Sequence, residues 1–232
     1  KRGTDCTLLP FRDNANFQSQ ELSEDYVEWF KERVNAFHET HSRGDPCLQL
    51  WHFKDSLLSP SNELNLFTFY ELDSPTKVEL NIAKNCKKLI FSSNYSVDLF
   101  KSHEIDAAFV PLGFDSHNFK TTEKSYFDDD RVVFNLCGKF EKRKHHAKIL
   151  KAWAKKYGNN PKVHLQCAIF NPFLSPEDNN ALIKGALDGE KYFNIVFLGN
   201  MKSNAEYNDY LNSANIVIGM SGGEGWGLPE FQ

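Results

Sequence analysis

The chain has 232 residues, of which 41% are hydrophobic and 25% are charged, so it is long enough to bury a core in one large or two small domains. Its formal net charge of −4 argues against binding to nucleic acid or anionic lipid through the overall charge of the molecule. Because no apolar run approaches the roughly 20 residues of a membrane-spanning helix, and none follows residues 1–5 as in a signal peptide, we expect a cytoplasmic protein, free or peripheral to a membrane.

The first half of the sequence predicts an α/β domain over residues 1–115. Helices are expected from Ser23 to His41, which is amphipathic, and from Ser74-Pro75 to Asn85. Short apolar runs predict four strands: Cys47 to Phe53, Leu66 to Tyr70, Leu89 to Ser92 and Ala107 to Pro111. Residues 116–130 are mainly polar, and we interpret them as a linker.

The second half, residues 131–232, alternates strands with helices more regularly, as in a parallel sheet with crossover helices. Its predicted strands are Val132 to Cys137, Val163 to Phe170, Phe193 to Leu198 and Ile216 to Met220. A helix is predicted from His146 to Tyr157, and caps at Ser175 and Ser203 begin two more. The predicted fold is therefore two α/β domains side by side.

The five cysteines are odd in number and scattered along the chain, and several lie inside apolar runs. We therefore expect reduced thiols rather than disulfides or a cysteine zinc site.

A basic segment, Gly138 to His146, separates the first strand of the second domain from its first helix. It contains four fixed cations, at Lys139, Lys142, Arg143 and Lys144. Cations repel the positive end of a helix dipole unless an anion neutralises both, and open α/β sheets bind ligands at the carboxyl ends of their strands. The segment therefore suits a diphosphate, and the alternative is a solvated surface loop.

A glycine-rich segment, Met220 to Gln232, follows the fourth strand of the second domain. Residues without Cβ allow main-chain N–H groups to approach a ligand, and the carboxylate of Glu224 can accept hydrogen bonds from sugar hydroxyls. The alternative is a tight structural turn. The glycines are not a dinucleotide fingerprint, because that pattern follows the first strand of its unit and these follow the fourth.

Together the two segments resemble the donor domain of family 4 glycosyltransferases, which have the GT-B fold. Gly138, Lys139 and Lys144 match the family's glycine, basic residue and lysine, and Arg143 fits an Arg-Lys variant of that motif. The run from Glu224 to Pro229 matches the family's Glu-Gly-aromatic-Gly-Leu-Pro sequence in full. The resemblance implies an α/β fold of the GT-B type, two Rossmann-like domains whose parallel sheets face each other across a cleft.

The resemblance also implies a retaining hexosyltransferase, which moves a sugar from a nucleotide-diphosphate sugar to an acceptor. Glu224, Arg143 and Lys144 would be catalytic, with the two cations stabilising the leaving diphosphate and the carboxylate holding the donor sugar. No metal or other cofactor is then required. The implied donor-binding residues are Gly138, Lys139, Gly223, Gly225, Trp226, Gly227, Leu228 and Gln232.

The first domain resembles the family's acceptor domain more weakly, and would bind a glycan, lipid or protein acceptor. Three segments carry this resemblance: Phe69 to Pro75, Leu89 to Asn94 and Val110 to Asp115. His52, Glu71 and Ser93 are the acceptor-side candidates.

Gln232 departs from the family pattern, in which a second glutamate binds the nucleotide ribose, since an amide offers no charge there. Similar proteins also have a glycine-rich loop after a first strand and a closing C-terminal helix, and neither is found in this sequence. We therefore expect a partial chain with two incomplete domains, whose activity as it stands is in question.

The alternatives to a glycosyltransferase are a non-catalytic sugar-nucleotide-binding or scaffold protein, a nucleotide-sugar epimerase and a phosphorylase. The net negative charge disfavours a nucleic-acid binder.

Overall fold

The computed structural model of the protein describes residues 5–10, 22–123 and 130–231. It divides into two units, Lys1–Leu112 and Gly113–Gln232, each with its own sheet and its own core. Within the described ranges, no helix combines the length and the apolar content that crossing a bilayer requires.

The first unit is a parallel sheet accompanied by helices. Its described elements are α1 (Glu24–Thr40), β1 (Pro46–Leu50), β2 (Glu63–Thr68), α2 (Lys77–Asn85), β3 (Lys88–Phe91), α3 (Asn94–Lys101) and β4 (Ala107–Phe109). The strands pair in chain order, β1-β2-β3-β4, and every pair is parallel. All four carboxyl ends therefore lie along one edge of the sheet.

Side-chain caps set the starts of the first two helices. Ser23 Oγ accepts a hydrogen bond from the Tyr26 N–H, so α1 begins where the sequence predicts it. Helix α2 begins at Lys77 rather than at Ser74-Pro75, because Thr76 and Glu79 form a reciprocal capping box. The box satisfies two backbone donors, which a proline at the first helical position does not.

An aromatic cluster packs against the first sheet. Phe53, Tyr70, Phe91 and Phe100 are buried, the rings of Phe53 and Phe100 stack at 5.3 Å, and Tyr70 meets Phe100 edge-on at 5.1 Å. Phe53 and Tyr70 lie just beyond the ends of β1 and β2. The predicted first and second strands therefore end too late, at Phe53 and Tyr70, because these residues are apolar and buried in the core although they are outside the sheet.

The second unit is a doubly wound α/β unit. Its described elements are β5 (Val132–Cys137), α4 (His146–Tyr157), β6 (Val163–Ala168), α5 (Pro176–Ala186), β7 (Ile195–Phe197), α6 (Asn204–Asn212), β8 (Ile216–Ile218) and α7 (Leu228–Phe231). The strand order is β7-β6-β5-β8, and every pair is parallel. The order reverses at β5, so a topological switch point lies between β5 and β8, where open α/β sheets bind their ligands.

Helix α4 has the predicted bounds, and its buried face consists of His146, Ile149, Leu150 and Trp153. On the other side of β5, helix α6 is held by Tyr210, whose hydroxyl donates to the Leu136 carbonyl at 3.0 Å. These contacts fix the backbone on both sides of the switch point. The predicted α/β fold class, with two parallel sheets, is confirmed.

Residues that precede β5 are hydrogen-bonded to α6. The Lys120 N–H donates to Asn208 Oδ1 at 2.9 Å, and the Thr122 N–H donates to Asn212 Oδ1 at 2.9 Å. The division between the units falls between Leu112 and Gly113. The domain bounds taken from the sequence, with a linker at 116–130, stay a prediction, and residues 124–129 of that linker lie outside the described residues.

All five cysteines lie in the described part of the chain, and all are free thiols. Cys137 and Cys167 are buried, whereas Cys6 is exposed. Burial raises the pKa of Cys86 to about 11 and also raises the pKa of Cys167. These two residues therefore stay protonated at neutral pH and are poor nucleophiles.

Candidate functional site

The two sequence segments meet at the switch point of the second sheet. The basic loop, residues 138–145, follows β5, and the glycine loop, residues 219–227, follows β8. The Gly222 N–H donates to the Arg143 carbonyl at 2.9 Å, and the Arg143 guanidinium donates to the Gly223 carbonyl. His145 Nδ1 lies 3.0 Å from the Met220 carbonyl oxygen. The two loops therefore lie together at one edge of one sheet.

A series of ion pairs, which we call the charge network, joins the loops. Lys144 Nζ lies 2.5 Å from Glu224 Oε1, and Arg143 Nη1 lies 3.3 Å from the same oxygen. Arg143 Nη2 also lies 3.4 Å from Glu141 Oε2, while Lys139 Nζ lies 2.8 Å from Glu141 Oε1. Three cations and two carboxylates leave the network with one net positive charge.

The charge network is partly shielded from water. The side chains of Lys144, Arg143 and Glu224 are 14%, 24% and 24% exposed, so solvent screens their interactions less than it screens fully exposed pairs. Burial raises the pKa of Glu224, but the hydrogen bonds from Lys144 and Ser221 and the charges of Lys144 and Arg143 outweigh burial, so its pKa lies below the ordinary value. Glu224 is therefore ionised at neutral pH.

Glu141 is also ionised at neutral pH. The hydrogen bond from Lys139 lowers the pKa of Glu141 most, burial opposes it, and the charges of Lys139, Arg143 and Lys144 lower it further. Glu141 was not predicted as a site residue. Its signal was the alternation Lys139-x-Glu141-x-Arg143, which places a carboxylate between two cations of the same loop.

Gly138 allows Lys144 to lie across the end of β5. Its φ of +100° is in the left-handed region, and a Cβ there would come within 3.2 Å of Lys144 Cδ and 3.3 Å of Lys144 Nζ. Both the turn and the close approach of Lys144 therefore depend on the absence of a side chain at this position.

We expect Gly138→Ala to lower the free energy of unfolding by about 1–3 kcal/mol, the cost of holding a residue with a Cβ in a sparsely populated backbone region. It should also weaken diphosphate binding, because the new methyl group displaces Lys144. Urea denaturation and a pyrophosphate titration measure the two effects. The matched control is Gly185→Ala in helix α5, where an added Cβ meets nothing within 4 Å. Equal stability changes in the two variants would contradict the role given to Gly138.

His146 fixes the start of α4 to the end of β5. It is buried, and its Nε2 lies 3.2 Å from the Cys137 carbonyl oxygen, to which the ring nitrogen donates. Burial lowers the pKa of His146 to about 4, the hydrogen bond to Cys137 opposes this, and the charge of Lys144 lowers the pKa further. The ring is therefore neutral at pH 7, and it positions the loop that carries Arg143 and Lys144.

The described members of the predicted donor-binding set that follow Lys139 lie in or beside the glycine loop. Gly225 is buried, Trp226 packs edge-on against Phe231 at 4.8 Å, and Gly227 has a positive φ of 80°. Leu228 begins α7 and is exposed. Gln232 lies outside the described residues, so its predicted place at the ribose stays a prediction.

A pocket of about 230 Å³ opens beside Gly138 and Lys139, at the carboxyl ends of three neighbouring strands, β5, β6 and β7. Its lining is Cys137, Gly138, Lys139, Ala168, Phe170, Gly199, Asn200, Met201 and Tyr207. Most of these residues were not predicted, because they lie on separate loops with no motif of their own. The pocket and the charge network meet at Lys139, which belongs to both.

The acceptor-side candidates lie in the first unit. His52, Glu71 and Ser93 follow β1, β2 and β3, so all three are at the carboxyl edge of the first sheet. His52 and Glu71 are exposed, and Ser93 is half-buried at the start of α3 without a side-chain capping bond. Their role in acceptor binding stays a prediction.

Within the described ranges, no three His, Cys, Asp or Glu side chains are grouped so that they could hold a metal ion. The positive charge at the switch point comes from lysine and arginine side chains.

No family model and no curated protein sequence matches the chain. Solved structures do match it. Sucrose-phosphate synthase from Thermosynechococcus elongatus is 15% identical, with a TM-score of 0.64 over 88% of this chain and 57% of that one. OtsA in its apo form is 9% identical, with a TM-score of 0.60 over 88% and 59%. HepE from Anabaena, in complex with UDP-glucose, is 16% identical, with a TM-score of 0.54 over 68% and 47%.

These likenesses show that the fold is that of the GT-B glycosyltransferases. Membership of family 4 stays a prediction. The chain spans 57% of the length of the sucrose-phosphate synthase structure and 59% of the OtsA structure.

Proposed function

We propose that the chain supplies the donor-binding part of a retaining glycosyltransferase that uses a nucleotide-diphosphate sugar. The observation that carries the proposal is the position of Arg143 and Lys144, which lie together against the glycine loop at the switch point of the second sheet. Two partly shielded cations at the carboxyl ends of parallel strands suit an anion with two phosphate groups. Retention of the anomeric configuration rests on the sequence resemblance.

In the proposed reaction, an acceptor hydroxyl oxygen forms a bond to the anomeric carbon, and the bond from that carbon to the diphosphate oxygen breaks. Negative charge accumulates on the departing diphosphate, which takes up the proton of the acceptor hydroxyl. Arg143 and Lys144 stabilise that charge through charge-assisted hydrogen bonds from fixed positions. Because the cations already carry this role, we propose that the reaction needs no metal ion.

Glu224 has two roles in this scheme. Without a ligand, its carboxylate neutralises Lys144 and Arg143. When the diphosphate takes over these cations, the carboxylate has free lone pairs and accepts hydrogen bonds from hydroxyls of the donor sugar. The carboxylate of Glu224 therefore exchanges its contacts with the cations for contacts with the sugar as the donor binds.

The pocket beside Lys139 suits the nucleoside of the donor. Phe170, Met201 and Tyr207 contribute apolar surface to it, and Asn200 contributes an amide. A mainly apolar pocket with a few polar groups is the usual form of a site for a small organic ligand. Because Lys139 belongs to both the pocket and the charge network, a nucleoside in the pocket places its diphosphate at Arg143 and Lys144.

We expect at least one of the UDP, GDP and ADP sugars to raise the melting temperature of the chain, since a ligand that binds only the folded state stabilises it by about 2.7 kcal/mol at 100 times its Kd. The rise should be unchanged by EDTA. A thermal-shift screen with and without chelator measures both effects. Loss of the shift on chelation would contradict metal independence, and the absence of any shift would contradict donor binding.

Product analysis then tests the reaction class. The assay uses a version of the protein that spans the full length of its structural neighbours, because this chain covers 57–59% of two of them. With the bound nucleotide sugar and a panel of glycan, lipid and peptide acceptors, a glycosyltransferase releases free nucleoside diphosphate and forms a glycoside of unchanged anomeric configuration. Isomerised sugar would instead indicate an epimerase. Binding without either product would indicate a non-catalytic nucleotide-sugar-binding protein.

A further inference from the structure

We propose that Glu141 is a resident counter-anion of the diphosphate site, which competes with bound phosphate for Lys139 and Arg143 and so limits how tightly a diphosphate is held. The inference rests on the proposed function of the basic loop. It concerns the affinity of that site, and it gives a role to a carboxylate that would otherwise be out of place in an anion site.

The geometry shows one carboxylate with both oxygens in use. Oε1 of Glu141 pairs with Lys139 at 2.8 Å, and Oε2 faces Arg143 at 3.4 Å. Two oxygens of one anionic group therefore contact two neighbouring cations, as two oxygens of a phosphate group can. Any phosphate that binds Lys139 or Arg143 must share that cation with Glu141 or displace the carboxylate.

The backbone keeps Glu141 close to the site. The Lys144 N–H donates to the Glu141 carbonyl at 3.2 Å, so Glu141 begins the same turn that carries Arg143 and Lys144. Its side chain is 29% exposed, and its lowered pKa reflects the hydrogen bond from Lys139 first. A Glu141 carboxylate displaced from Lys139 stays ionised at pH 7, because the ordinary pKa of a glutamate lies well below 7, and the turn keeps it within a few ångströms of the bound anion.

The charges predict the direction of the effect. With Glu141 the network has one net positive charge, and without the charge of Glu141 it has two. Repulsion between Glu141 and a diphosphate a few ångströms away, in a partly shielded site, should weaken diphosphate binding by about three- to ten-fold.

This competition suits a site that must release its product. When the sugar has been transferred, the diphosphate remains bound to Arg143 and Lys144, and product release often limits the turnover of an enzyme. As a phosphate oxygen leaves, Glu141 can take its place, so Lys139 and Arg143 are never left without a counter-charge. Glu141 thereby lowers the barrier to release at some cost in affinity.

The opposite role is also physically clear. If Glu141 served only to orient Arg143 towards the ligand, its removal would loosen Arg143 and weaken diphosphate binding. The two roles therefore predict changes of opposite sign in one measurement.

The test is a calorimetric titration of the 232-residue chain with inorganic pyrophosphate, in magnesium-free buffer at fixed ionic strength, for the unaltered chain and for Glu141→Gln. Glutamine keeps the size of the side chain and removes its charge. We expect pyrophosphate to bind Glu141→Gln about three- to ten-fold more tightly. The matched control is Glu190→Gln, an exposed residue between α5 and the amino end of β7, which removes the same charge away from the site and should change the affinity less than two-fold.

Equal or weaker binding by Glu141→Gln would overturn the inference, as would the same gain in Glu190→Gln, which would reduce the effect to overall charge. If the unaltered chain binds pyrophosphate and Glu141→Gln shows no gain in affinity, only this inference is contradicted. If the unaltered chain does not bind pyrophosphate, the proposed function is contradicted as well.

Discussion

The double substitution Arg143→Ala/Lys144→Ala should weaken the binding of a nucleoside diphosphate by about 3–6 kcal/mol, because charge-assisted hydrogen bonds contribute roughly 1.5–3 kcal/mol each. The same change leaves Glu141 and Glu224 without two of their three cations, and their repulsion of the ligand adds to the loss. Calorimetry should detect no binding at ligand concentrations that saturate the unaltered chain.

The matched control for this pair is Lys155→Ala/Lys156→Ala, which removes two exposed cations from the last turn of α4, the helix that follows the basic loop. Both double variants change the net charge by −2, so any difference between them reports position rather than total charge. Unchanged diphosphate affinity in a folded Arg143→Ala/Lys144→Ala chain would indicate that the basic loop is a solvated surface loop rather than a diphosphate site.

A fall in pH from 6.5 to 4 should destabilise the second unit by about 3 kcal/mol through His146 alone. The pKa of His146 is lowered to about 4 from its ordinary value of 6.5, mainly by burial. Between these values the unfolded chain binds a proton that the folded chain does not, so the free energy of unfolding falls as the pH falls. Below about pH 4 the folded state takes up the proton as well, and this contribution stops changing.

Urea denaturation at pH 7 and pH 5, for the unaltered chain and for His146→Gln, measures this effect. Glutamine can still donate to the Cys137 carbonyl but does not titrate, so the decrease in stability between the two pH values should be smaller in the variant by about 2 kcal/mol. Some pH dependence will remain, because burial also lowers the pKa of His164. Identical pH dependence in the two chains would contradict the assignment.

The second unit could be predicted from the sequence in most of its elements. Most residues of its strands are apolar, and α4 has one apolar face that begins at His146 and a glycine at its end, so both patterns are local. The ends of several strands could not be predicted. Ile169 follows β6 directly and is buried like a strand residue, although it is outside the sheet.

The sequence indicates candidate residues for the site, but it does not indicate the contacts between them. Arg143, Lys144 and Glu224 were identified from motifs. The sequence does not show that Glu224, which is 80 positions after Lys144, forms ion pairs with both cations. That pairing depends on the placement of β8 beside β5, which is a property of the folded sheet. Glu141 was missed for a different reason, because a single acid within a basic segment looks like ordinary surface charge.

The most direct test of the donor site compares UDP, GDP and ADP with uridine, guanosine and adenosine by calorimetric titration of the chain. If the switch point between β5 and β8 binds a diphosphate, at least one nucleoside diphosphate will bind, and its nucleoside will bind at least about 100-fold more weakly, since the contacts of two cations are lost. A diphosphate site at this switch point is contradicted if none of the three diphosphates binds, or if a nucleoside binds as tightly as its diphosphate.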